Sequence, residues 1–146
     1  MKTMRNTSHQ QGFTLLEVMV VLAIIGGIMA LVATNIIGAA GDANIKTTKS
    51  QIKLMENALD LYKLHNYTYP TTEQGLEALV QKPTSAPEPK NYQSGGYLKG
   101  NKVPTDAWGN EFLYFLDKGK YEIVSLGADG QEGGEEDGAD ISSLDQ

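Results

Sequence analysis

Residues 12–41 read GFTLLEVMVVLAIIGGIMALVATNIIGAAG, and the interpretation of this stretch decides the fold. No charged side chain occurs from Val18 to Gly41. As a helix, a run of about 24 residues reaches roughly 36 Å, enough to cross the apolar core of a bilayer, whereas a helix buried in a soluble core is normally shorter. The preceding MKTMRNTSHQQG carries Lys2 and Arg5. Positive charge on that side keeps the leader in the cytoplasm and sends the C-terminal part outward. A discarded secretory signal would end in a small-residue A-x-A site after the apolar run. Here the small residues sit inside a segment that continues as helix, so the segment reads as retained.

Glu17 is the exception within this stretch. A carboxylate at the edge of an apolar span is costly unless it snorkels to the headgroups or meets a positive partner. Chemistry alone leaves both readings open. A new α-amino group, created by cleavage before Phe13, would supply such a partner four residues away or on a neighbouring copy.

After Asp42 the charges return while helical periodicity persists. Ile45, Ile52, Met55, Leu59 and Tyr62 follow one another at helical steps, and Leu54, Ala58 and Leu61 are expected to widen the stripe. One continuous helix to about Leu64 follows, with Lys46, Lys49, Lys53 and Lys63 on a solvated face and His65 near its end. Pro70 and Thr71 open a second, short helix; Gln74 completes a capping box, and Leu76, Leu79 and Val80 form its apolar side. PTSAPEPKNYQSGG, rich in proline and glycine, reads as a loop. EFLYFL and YEIVSL alternate about Asp117-Lys118-Gly119-Lys120 and read as a hairpin. Trp108 is expected to plug the junction of helix and sheet. The fold class is therefore α+β: a long N-terminal helix, membrane-spanning in its first half and amphipathic in its second, packed on a small antiparallel sheet.

The chain has 146 residues, a net charge of −6 and no cysteine. Disulfides and thiol catalysis are excluded. His65 is the only histidine outside the leader, and neither a G-x-S-x-G nor a Walker A pattern is present, so an enzyme is the least supported class. Seven acids lie between Asp129 and Asp145 with no Lys or Arg among them, which argues against nucleic acid as a partner. By composition alone this tail, GADGQEGGEEDGAD, reads as a solvated acidic segment; its glycine-interleaved oxygens also suit calcium, although the EF-hand pattern is absent.

GFTLLEV followed by an apolar helix resembles the processing motif of type IV pilins and type II secretion pseudopilins. YPTTEQGLEALV, GGYLKGNKVPTDAWGNEFLY and IVSLGADGQEGGEEDGADI resemble, more specifically, the soluble domain of the major pseudopilin family of type II secretion. The resemblance implies a leader of residues 1–12, a membrane and polymerisation helix over 13–41 and a periplasmic domain over 42–146. It implies cleavage after Gly12 by a prepilin peptidase, N-methylation of Phe13, and Glu17 as the residue guiding assembly. It also implies a structural calcium site in the acidic loop. The Asp129 side chain and the Leu126 carbonyl would be ligands, with Asp140, Asp137 or Glu136 supplying the rest. The implied setting is the bacterial inner membrane, crossed once. Implied partners are further copies of the chain, minor pseudopilins, an assembly platform with its ATPase, secreted exoproteins and the outer-membrane secretin. Gln11 stands where the family usually has a basic residue, and Thr34 where it usually has a proline. A type IV pilin of a surface fibre is the related alternative. A membrane-anchored calcium-binding module that never polymerises is a different class, and it leaves Gly12-Phe13 and Glu17 without a purpose.

Overall fold

The computed structural model describes residues 13–145, without the side chains of 33–39. They divide into two compact units, one ending at Ala39 and one beginning at Ala40.

Helix α1, Leu15–Asn66, runs through both. Thr14 starts it, because its Oγ1 accepts the Glu17 N–H at 3.2 Å and so satisfies one of the amides that a first turn leaves unpaired. The helix continues through Gly26, Gly27 and Thr34. It stops where Tyr67 turns to a φ of 65°. There the Tyr67 N–H still donates to the Lys63 carbonyl at 2.7 Å, a left-handed residue closing the last turn. Lys63 and His65 occupy that turn, where cations complement the helix dipole.

In the first unit, the segment Leu15–Val32 is long and apolar enough to cross a membrane, and none of it is buried. In the second unit the same helix has one covered face. Thr48, Ile52, Met55, Leu59 and Tyr62 are all buried, at alternating steps of four and three that keep them on one side. The expected widening of the stripe holds for Ala58 and fails for Leu54 and Leu61, which are 54% and 37% exposed. Those two leucines lie on the side of α1 turned away from the core.

The capping box forms as read. Thr71 N–H donates to Gln74 Oε1 at 3.1 Å and Gln74 N–H to Thr71 Oγ1 at 3.2 Å. The short helix expected after it forms as a 3₁₀ helix. Gly75, at a φ of 59°, turns the chain out of helical geometry, and only a four-residue 3₁₀ turn, Leu76–Leu79, follows. Its Leu76, Ala78 and Leu79 still enter the core. Gln74 then orders the proline-rich loop, donating from Nε2 to the Ser85 and Pro87 carbonyls at 2.9 and 3.2 Å.

Strands β1, Leu113–Asp117, and β2, Lys120–Ser125, form the expected hairpin, closed by Asp117 opposite Lys120. Lys118 and Gly119 have φ values of 47° and 80°, the two positive angles of the primed turn that matches strand twist. A third strand, β3, Ile141–Ser142, pairs antiparallel with β2. Tyr114 and Ile123 point from the sheet to the buried face of α1, and Phe112, Leu98 and Ile141 complete the core. Trp108 is half-buried against this core rather than sealed within it.

Candidate functional site

The sequence directs attention to two places. At the first, Gly12 lies outside the described residues, and Phe13 is the first of them, 82% exposed. Glu17 is exposed in the first turn of α1, where a negative charge complements the helix dipole. Thr14-Leu15-Leu16-Glu17 is thus a helix start. The Thr14 bond to the Glu17 amide escaped the sequence reading, although the Thr-x-x-Glu spacing signals it.

The second place is the acidic loop between β2 and β3. Leu126 is half-buried just beyond β2, and Asp129 follows three residues later. Asp129 Oδ1 accepts the Gln131 N–H at 3.0 Å. Its other oxygen faces the loop glycines: a Cβ on Gly134 or Gly138 would sit 3.2 or 3.1 Å from Oδ2. From the far end Asp140 reaches back, its Oδ2 accepting the Gly133 N–H at 2.9 Å while its own N–H donates to the Gly133 carbonyl at 3.1 Å. Glu136 opens a 3₁₀ turn, Glu136–Gly138, and is exposed. Asp137 faces elsewhere. Its carboxylate lies against the α1 backbone at Gly41, in the space a Cβ would take, and its main-chain carbonyl accepts the Ala128 N–H at 2.8 Å. Asp129 and Asp140 therefore grip one loop from its two ends, and Asp137 ties that loop to the helix. Among the described residues, no three acidic or histidine side chains converge as a metal cluster. The donor chemistry still fits a hard cation: the free Asp129 oxygen is enclosed by glycine backbone, and calcium draws its ligands from carboxylates and carbonyls together.

What holds the loop's root is a buried polar node that the sequence reading missed. Asp106 is 3% exposed. Its Oδ1 accepts the N–H groups of Trp108 and Asn110 at 3.0 and 2.8 Å, and its Oδ2 accepts the Ser125 hydroxyl at 2.7 Å. Asn110 in turn donates from Nδ2 to the Gly127 carbonyl at 2.8 Å. Thr48 of α1 joins from the helix side, accepting the Ala107 N–H at 3.2 Å. An aspartate opening the turn DAWGN is the available signal, since such side chains bond amides just ahead of them.

The loop and hairpin lie within residues 35–144, which match the family model described as type II secretion system protein G. Residues 7–34 match the prokaryotic N-terminal methylation motif. The chain belongs to the type II secretion protein G family, the major pseudopilins. The match over 35–144 decides between the two subtypes that GFTLLEV leaves open. Among relatives, the type II secretion system core protein G of Vibrio cholerae is 53% identical, covering 96% of this chain and 95% of its own. That of Pseudomonas aeruginosa is 49% identical over 94% of this chain and 96% of its own. The crystal structure of the major pseudopilin from the type 2 secretion system of enterohaemorrhagic Escherichia coli superposes with a TM-score of 0.66. It is 38% identical and covers 77% of this chain and 96% of that one. This pseudopilin is accordingly a structural subunit of the secretion machinery, and its apolar helix and methylation motif fit a single-pass membrane anchor.

Proposed function

We propose that this pseudopilin is made as a precursor, cut after Gly12 by a prepilin peptidase, N-methylated at Phe13 and held in the bacterial inner membrane with its domain from Asp42 onward in the periplasm. There it polymerises into a pseudopilus whose growth drives folded exoproteins through the secretin. It acts as a scaffold rather than an enzyme. The observation that carries the reading is the span Leu15–Val32, of which nothing is buried in a single chain. Lipid covers such a surface before assembly, and other copies cover it once the subunit leaves the bilayer. Glu17 would pair with the α-amino group of Phe13 on a neighbouring copy, which makes its position tolerable. With no Walker A motif in the chain, energy comes from the assembly ATPase and platform; minor pseudopilins complete the fibre.

Calcium belongs to the same reading. Asp129 would supply a side-chain ligand and Leu126 a carbonyl, with Asp140 and Glu136 at the loop's far side and Asp137 anchoring the loop through Gly41. A bound cation would offset the repulsion among the loop carboxylates.

Intact-mass measurement, together with negative-stain images from cells with and without the prepilin peptidase, tests the proposal. The expected result is a mature chain beginning at N-methylated Phe13, and fibres only when the peptidase is present. Retention of Met1 in fibre-bound protein would sink the processing step.

A further inference from the structure

The acidic loop leaves β2 through Ser125-Leu126-Gly127-Ala128, and the main chain of that exit is held at successive points. The Gly127 N–H donates to Ser125 Oγ at 3.3 Å, the Gly127 carbonyl accepts from Asn110 Nδ2 at 2.8 Å, and the Ala128 N–H donates to the Asp137 carbonyl at 2.8 Å. Gly127 has a φ of 63°, and a Cβ there would stand 2.8 Å from the Ala139 carbonyl oxygen, so the returning strand of the loop closes over it. The Leu126 carbonyl is different. Among the described residues no group donates a hydrogen bond to it.

The direction of that carbonyl follows from its neighbour. In a trans peptide the C=O and the N–H that follows it point opposite ways. With the Gly127 N–H turned to Ser125 Oγ, the Leu126 carbonyl points away from the buried node of Asp106 and Ser125. Asp106 decides what Ser125 can do there. A hydroxyl has one proton to give and two lone pairs with which to accept. Asp106 Oδ2 takes the proton at 2.7 Å, which leaves the lone pairs to receive the Gly127 N–H. Asn110 braces the next residues as well. A Cβ on Gly130 would stand 3.7 Å from Asn110 Oδ1, so this one side chain reaches the glycines on both sides of Ala128-Asp129.

We propose that Ser125 and Asn110, with Asp106 acting through Ser125, are positioning residues for the cation of the acidic loop. They turn the Leu126 carbonyl away from the node and keep it unpaired, and they fix the backbone that carries Asp129. None of the three touches the ion. The inference rests on the calcium reading above and adds what aims its carbonyl ligand. Backbone already ordered by folding does not have to be ordered by the ion, so these bonds act on affinity as well as on stability. Groups that orient metal ligands from behind typically contribute roughly ten- to a hundredfold in affinity.

The test is a calorimetric titration of the full-length protein in detergent with calcium, well below its melting temperature. Ser125→Ala and Asn110→Ala are each expected to raise the calcium Kd roughly tenfold or more. Ser125→Thr, which keeps the hydroxyl, should stay nearer the parent than Ser125→Ala does. Asn110 is only half-buried, so Asn110→Ala carries the test if Ser125→Ala does not fold. Tyr114→Phe is the control for a loss of stability alone. It removes a buried bond to the Pro70 carbonyl, at 2.9 Å, in which no loop residue takes part, and its Kd should match the parent's. A parental Kd in folded Asn110→Ala would overturn the positioning role and leave the calcium reading standing. An equal loss of affinity in Tyr114→Phe would assign the effect to stability and overturn it as well. If the parent chain takes up no calcium, the calcium reading fails, and the positioning role fails with it.

Discussion

Two stretches of one helix, Leu15–Val32 and Thr48–Tyr62, share backbone geometry and differ in everything that surrounds it. The first is apolar all round beyond Glu17 in its first turn, and none of it is buried. The second is apolar on one face, and that face disappears beneath a sheet and a turn. A helix hydrophobic all round needs lipid or other protein on every side, whereas an amphipathic one is satisfied by a single partner. Folding of the chain therefore completes the second stretch and leaves the first for assembly. Stability should reside in one and polymerisation in the other, and substitutions should separate the two.

The sharpest test acts on the first stretch. Glu17→Ala is expected to leave membrane insertion and cleavage intact and to abolish fibres, since the carboxylate has no part in the core of the unit from Ala40 onward. Counting fibres and melting the same preparation checks both halves of the statement. Normal fibre yield would make Glu17 only a helix-start residue bonded through its amide to Thr14. The converse test is Asp106→Ala. It strips partners from the Ser125 hydroxyl and from the amides of Trp108 and Asn110. Leaving such buried groups unpaired should cost about 3 kcal/mol in urea unfolding. Fibre loss in that variant should track its unfolded fraction.

Calcium should come next in size. At about a hundred times its dissociation constant, a ligand bound only by the folded state adds roughly 2.7 kcal/mol. The melting temperature should rise with calcium and barely with magnesium, which surrenders its waters reluctantly. Asp129→Ala should remove the response. Equal melting of the parent with calcium and with chelator would return the loop to a solvated acidic segment.

The smallest effect is confined to alkaline pH. Burial pushes the Tyr92 phenol from 10.0 up to about 12. Burial, then the hydrogen bond to Asp60, does the same for Tyr69. Folding thus holds protons that the unfolded chain releases near pH 10. This contribution is fully present below pH 10 and is lost as pH rises from there through about 12. Urea midpoints at pH 9 and pH 11 should fall in that order, and Tyr69→Phe should flatten the difference. Midpoints that do not change across that range would show that these phenols ionise equally in both states.

The hairpin was legible because alternating runs, EFLYFL and YEIVSL, flank a short glycine-containing turn, which is a local signal. The capping box of Thr71 and Gln74 and the short helix behind it were legible for the same reason; that the helix is a four-residue 3₁₀ turn was not, because it follows from a positive φ at Gly75. Strand β3 has only two residues, too few for an alternating pattern. Leu54 and Leu61 were assigned to the core by periodicity, which detects an apolar stripe without saying which of two adjoining stripes the sheet will cover. In the loop, composition alone read as a solvated acidic segment and only the family resemblance implied a cation; Asp129 lies with one oxygen against the backbone of Gly134 and Gly138. That Asp137 turns to Gly41 was invisible, since the two residues are far apart along the chain.

By itself the sequence determined what depends on neighbours within a few turns: a span long enough for a bilayer, the N-terminal methylation motif at its start, the hairpin and the acid-rich loop. Chain chemistry over such distances follows from sterics, local hydrogen bonds and hydrophobicity, which need no folded context. Only the tertiary structure decided which face of α1 meets the sheet, that Asp106 is buried beneath Ser125 and Asn110, and that a leucine stripe is left facing outward. Each of these depends on segments brought together from distant parts of the chain, where the choice is made by how well they pack and not by what any one of them prefers.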